Sequence, residues 1–282
     1  MKEYLLPWRR PQREALPRID ATWERLRTPD GVVFEQVVPN NSQGDPLIIA
    51  PGFGRFAREL RPTLEFFAAH HIQAACLEHP RFGLPVKNNP HNFARESMRG
   101  AQAVISVIEA IREQRPEVQR FEGFGESRGS ISIGIAKILD PDGLGHVYFA
   151  SPANMTRDNF AALLGGIVQQ VIMERKQFAQ QGETDRVIAD VIKLLQYLSN
   201  PVRSLIEGYH IADTNLSEHL SLFVDDITII ITEHDELFAI QEIQQNAKAV
   251  GISDIVVFPG NHRVNMTDVS KLIAARRRKV AA

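Results

Sequence analysis

Short strand-like runs alternating with helical patterns constrain this chain more than any other feature. The first run, Pro46-Leu47-Ile48-Ile49-Ala50, is apolar throughout, as a strand buried on both faces must be. It stops at Pro51-Gly52-Phe53-Gly54, and a helical pattern over about 58–70 puts Leu60, Leu64, Phe67 and Ala68 on one face. Further strand-like runs lie at 73–77, 119–123, 146–150, 227–232 and 254–258. Helical patterns occupy 93–114, with Asn92 as N-cap and Pro116 as a stop, then 130–139, 240–250 and the chain from about Met266. Parallel strands need crossover connections of this length, so the alternation predicts an α/β fold with a doubly wound, mostly parallel sheet. Ahead of it, residues 1–26 read as a polar, proline-punctuated lead. Asp30-Gly31 before Val32-Val33-Phe34 reads as a turn entering a strand.

The rhythm breaks once. Between 154 and 220 there are long helical patterns, at 163–178 and 185–198, and no clear strand. The expected organisation is therefore a core of 1–153 and 221–282 interrupted by an all-helical insertion at 154–220. The aromatics Phe160, Phe178, Tyr197 and Tyr209 in that insertion suit helix packing better than a substrate box. At 282 residues the chain can bury one large core. Lysine and arginine number 32 against 34 acids, which argues against nucleic acid as the main ligand. The basic run Arg276-Arg277-Arg278-Lys279 reads as a solvated helix end, where cations suit the dipole. One cysteine, Cys76, excludes an intrachain disulfide and falls in a buried strand pattern. The start of the chain has no apolar h-region, and no window approaches 18 apolar residues, so no membrane span and a soluble, cytoplasmic protein are expected.

The pentapeptide Gly125-Glu126-Ser127-Arg128-Gly129 carries the chemistry. It sets a serine between two glycines where a strand meets a helix, the spacing of a nucleophile elbow, whose flanks must be small for strand and helix to approach. A serine hydroxyl needs a base within reach, and that base needs an orienting group. His262, in Phe258-Pro259-Gly260-Asn261-His262, follows the last strand. Asp235, in Thr232-Glu233-His234-Asp235-Glu236-Leu237-Phe238, follows the strand before it. Loops at the C-terminal ends of parallel strands are where such sheets place reactive groups. Asp225 and Asp226 precede a strand and so sit at the wrong end, while Glu233 and Glu236 are displaced along the turn. His79 and His234 fit a surface or pocket wall better than a second base.

In this order, serine, acid, histidine, the chain resembles the α/β-hydrolase family from about residue 27 to the end. Glu-His-Asp-Glu-Leu-Phe is similar to the family's acid-bearing segment, and Pro-Gly-Asn-His to its approach to the histidine. Pro51-Gly52-Phe53-Gly54 occupies the place of the family's oxyanion turn, with proline where histidine often stands. The resemblance implies an oxyanion hole built from the backbone N–H groups of Phe53 and Arg128. It implies that the 154–220 insertion is a cap, and that the loop carrying Glu78, His79 and Phe82 lines the substrate pocket.

The implied activity is a serine hydrolase acting on an ester, thioester or related acyl bond of a small, partly hydrophobic substrate, through an acyl-enzyme on Ser127. Acyltransferase or carbon–carbon bond hydrolase chemistry would use the same three residues. A non-catalytic ligand-binding protein on the same scaffold is the alternative from another class. A dehalogenase or epoxide hydrolase would call for aspartate at 127. No cofactor and no metal are expected: no His/Asp/Glu set has ligand spacing, and the Gly-Phe-Gly at 52–54 lacks the third glycine of a dinucleotide loop. Oligomeric state is not legible in the sequence.

Overall fold

A computed structural model describes residues 20–52, 57–78, 84, 86, 88–155, 206, 208–210, 214–235, 237–262 and 264–280. Eight strands form one sheet in the order β1-β2-β4-β3-β5-β6-β7-β8. They are β1 (Ala21–Arg27), β2 (Val33–Pro39), β3 (Leu47–Ala50), β4 (Ala74–Leu77), β5 (Phe121–Glu126), β6 (Leu144–Ala150), β7 (Ile227–His234) and β8 (Ile255–Asn261). β1, β2 and β4 pair antiparallel, and every pairing from β4 through β3, β5, β6 and β7 to β8 is parallel. Among the described residues the α-helices are α1 (Arg61–Ala69), α2 (Arg95–Gln114), α3 (Arg128–Leu139), α4 (Ser217–Leu220), α5 (Ile240–Val250) and α6 (Met266–Val280).

Each face of the sheet carries its own core. On one side Ile48, Phe121, Val147, Ile229 and Ile231 pack with Val104 and Ile108 of α2, Ile131 and Ile135 of α3 and Ile243 of α5. On the other, Ile49, Phe124, Tyr148 and Ile230 pack with Leu64 and Phe67 of α1 and Val269 and Ile273 of α6. Neighbours in a strand point to opposite faces, so a strand buried on both sides must be apolar at every position. Leu47–Ala50 and Ala74–Leu77, with Cys76 fully enclosed, meet that condition.

Four expectations are corrected. The lead to residue 26 contains a strand, β1, which pairs with β2 over its whole length around a turn with Gly31 at φ 91°. β5 runs on to Glu126 because its pairing continues with Ala50 on β3 and Ala150 on β6, and α3 accordingly starts at Arg128 rather than 130. The first half of the basic run is not solvated: Arg276 pairs with Asp254, and Arg277 binds Glu122 at 2.8 Å and the Asp45 carbonyl at 2.6 Å, whereas Arg278 is exposed. Sheet-end carboxylates and carbonyls, not bulk water, receive the Arg276 and Arg277 guanidinium groups. Asn92 also differs from its N-cap reading, standing at φ 54° two residues before the helix boundary at Ala94. Residues 156–205, most of the expected insertion, lie outside the described residues.

Candidate active site

β5, β7 and β8 run parallel, so their C-terminal ends lie at one edge of the sheet. Ser127 follows β5, Asp235 follows β7 and His262 follows β8, and topology alone therefore brings the three to the same edge. Sequence separations of over a hundred residues are bridged by strand register.

Ser127 stands at φ 50°, ψ −119°. Those angles belong to the first central residue of a type II′ turn, a position glycine normally fills, and a residue with a Cβ remains there only when its surroundings hold it. Three hydrogen bonds do so. The Ser127 N–H donates to the Ala150 carbonyl at 2.7 Å, and the Ser127 carbonyl accepts the Ser130 N–H at 2.9 Å and the Ser130 hydroxyl at 2.5 Å. The two glycines are a packing requirement. A Cβ at Gly125 would come within 2.6 Å of the Gly129 carbonyl oxygen and of the Ser130 backbone, and one at Gly129 would overlap the Ala50 carbonyl. Strand β5, helix α3 and strand β3 thus meet backbone to backbone around the serine.

The Pro51-Gly52 turn abuts it. A Cβ on Gly52 would lie 3.5 Å from the Ser127 Cβ and 3.4 Å from the Glu126 carbonyl oxygen. Arg128 is the first residue of α3, and the leading N–H groups of a helix have no acceptor within it. Phe53, the other expected oxyanion donor, lies outside the described residues, as do His79 and Phe82. Glu78 is described, and its carboxylate is drawn to Arg25 of β1 at 2.8 Å.

His262 and Asp235 are joined directly. The imidazole Nδ1 lies 2.9 Å from Asp235 Oδ1 and 3.0 Å from Oδ2. The same Oδ1 accepts the Leu237 N–H at 2.9 Å and the Phe238 N–H at 3.0 Å, so the turn after β7 orients the carboxylate before it meets the ring. Both side chains are buried, and the Phe238 ring packs edge-on to the imidazole with centroids 5.2 Å apart. Burial by itself raises the Asp235 carboxyl. The hydrogen bond and charge of His262, with the two backbone N–H groups, outweigh it and hold the carboxyl below its ordinary range. An ionised acid facing Nδ1 makes that nitrogen the donor and leaves Nε2 as the basic site. Among the described residues, Glu233 and His234 are exposed, and Asp226 pairs with Lys137 at the opposite end of the sheet.

Sequence reasoning missed three residues of this edge. Ser130 braces the elbow carbonyl, Glu126 is a buried carboxylate beside Ser127 and Gly52, and Ser151 binds the His262 backbone. For Ser130 the signal was present, a hydroxyl one turn into the helix. For Ser151 nothing local marks a partner 111 residues away. Among the described residues no group of three His, Cys, Asp or Glu side chains could hold a metal, and no helix is long and apolar enough to cross a membrane.

Comparison of the fold with solved structures points one way. A meta-cleavage product hydrolase from Pseudomonas fluorescens IP01 is 14% identical with a TM-score of 0.61, covering 91% of this chain and 98% of its own. An esterase from Thermogutta terrifontis is 13% identical with a TM-score of 0.60, covering 93% and 100%. A carboxyl esterase from Bacillus coagulans is 13% identical with a TM-score of 0.60, covering 94% and 100%. This chain has the α/β-hydrolase fold. Likeness of shape at that level of identity speaks for the architecture, whereas chemistry has to be argued from the site. No family model matches the sequence, and no curated protein matches it.

Proposed function

We propose that the chain is a serine hydrolase that cleaves an ester, thioester or related acyl bond. The observation that carries this reading is the Asp235–His262 pair, buried, with Nδ1 2.9 Å from an ionised carboxylate, at the sheet edge where Ser127 occupies a glycine-like backbone conformation. In this reading Ser127 Oγ attacks the acyl carbonyl while His262 Nε2 takes its proton. The imidazolium that forms is stabilised by Asp235, and it returns the proton to the departing alkoxide or thiolate. Water, deprotonated by the same histidine, then releases the acid and restores the serine.

The N–H groups of Arg128 and Phe53 are proposed to receive the negative charge of the tetrahedral intermediate, each typically worth about 3 kcal/mol of barrier. Gly52 against Ser127 supports that role, since it brings the turn before Phe53 up to the nucleophile. Residues 154–220 are proposed as a helical cap and the 78–83 loop as a pocket wall. Esterases among the structurally similar proteins support an acyl substrate.

A fluorophosphonate probe with peptide mass spectrometry tests the reading. Wild-type protein is expected to be labelled at Ser127, with labelling abolished in Ser127→Ala and strongly slowed in His262→Ala. Folded wild-type protein that resists the probe would return the chain to the class of non-catalytic binding proteins.

A further inference from the structure

Ser151 follows β6 directly, has no exposed surface and stands at φ 43°. Glycine is the default residue for left-handed backbone, because it lacks the Cβ that makes the conformation costly. A serine there supplies something glycine cannot, and its hydroxyl shows what: Oγ donates to the His262 carbonyl at 2.8 Å. The Ser151 N–H donates to the Ile230 carbonyl on β7, also at 2.8 Å. One residue earlier, the Ala150 carbonyl accepts the Ser127 N–H; two residues later, the Ala153 N–H approaches the Ser127 carbonyl at 3.5 Å.

The stretch 150–153 therefore touches the main chain on both sides of Ser127 and, through one hydroxyl, the main chain of His262. Ladder hydrogen bonds do not make that last connection, since β7 lies between β6 and β8 in the sheet. Asp235 fixes the imidazole at its Nδ1 end only. Placement of Nε2 over the serine depends as well on where the backbone of residue 262 sits relative to the elbow.

We infer that Ser151 is a positioning residue, whose hydroxyl ties the His262 backbone to the strand end that also holds Ser127. The inference rests on the reading of Ser127 as nucleophile and His262 as base. Displacing a reacting group by about 1 Å costs up to about a hundredfold in rate, which sets the expected scale.

Ser151→Ala and Ser151→Gly separate the hydroxyl from the backbone strain. Both lose the bond to His262, but only the glycine relieves the left-handed conformation, so it should melt at the higher temperature. Both are expected to fold cooperatively and to lose about 10- to 100-fold in the rate of fluorophosphonate labelling and in kcat for p-nitrophenyl butyrate, with KM unchanged. Wild-type rates in both variants would overturn the inference. So would rates that follow stability, lost with alanine and restored with glycine, or failure of both variants to fold, since each would make Ser151 a purely structural residue. Wild-type protein that takes no label is a separate failure, which removes the proposed function and the role of Ser151 with it.

Discussion

Asp235 Oδ1 is already committed to two backbone N–H groups before His262 arrives, and that asymmetry makes a sharp prediction. In Asp235→Asn the amide oxygen is held at the Oδ1 place by Leu237 and Phe238. The amide nitrogen then takes the Oδ2 place, 3.0 Å from Nδ1, where it donates. Nδ1 has to accept, the ring proton moves to Nε2, and the nitrogen proposed to take the Ser127 proton is no longer a base. With folding intact, kcat is expected to fall by about a thousand- to ten-thousandfold at pH 7, as tautomer reversal does in serine proteases. Activity within tenfold of wild type would show that Asp235 does not orient the base. At this scale the sequence was informative wherever a motif is local. Ser127, Asp235 and His262 each follow a strand directly, so three short segments sufficed to nominate them. Ser151 escaped because its partner is contiguous with it only across the folded sheet.

At the scale of elements, the elbow is a three-way backbone contact among β3, β5 and α3. Gly129 sits where a single methyl group would overlap the Ala50 carbonyl, and backbone cannot swing aside as a long side chain can. Gly129→Ala is expected to lose more than about 2 kcal/mol of stability, toward the upper part of the range for overpacked sites, and to displace α3 from β3. Urea unfolding measures this, and an unchanged midpoint would mean that the helix moves away freely. Elements buried on both faces, such as β3 and β4, were legible because burial leaves them no polar positions. β1 was not: as an edge strand it is half exposed, and Glu24, Arg25 and Arg27 disguise the alternation of Ala21 and Trp23. β5 was cut short for the opposite reason. Gly123 and Gly125 disfavour a strand in isolation, and only pairing with neighbours on both sides carries it to Glu126.

Across the whole molecule, the two ends of the sheet carry different chemistry. The proposed reacting groups stand at the C-terminal ends of the parallel strands, while an ionic band ties helices to the N-terminal ends. In that band Lys137 of α3 meets Asp226 at 2.9 Å, Arg277 of α6 meets Glu122, and Arg276 meets Asp254. His146 lies within it. The Thr228 hydroxyl gives its proton to Asp254 at 2.6 Å, so it accepts from His146 Nε2 at 2.8 Å, which places a ring proton on that nitrogen. Burial, then the positive charge of Arg276, holds His146 below its ordinary value of 6.5, against the opposite pull of Asp226 and Asp254. As pH falls through 6.5, the unfolded chain therefore takes up this proton more readily than the folded state does. The unfolded state binds more protons in that window, so stability rises with pH through it and is lost on acidification. Replacing His146 by glutamine keeps a donor toward Thr228 and removes the titration. The urea midpoint of wild-type protein should drop more steeply from pH 7 to 5 than that of His146→Gln, while both label at Ser127 equally fast at pH 7. Parallel midpoint curves would remove His146 from the acid response, and slower labelling would tie the two ends of the sheet together.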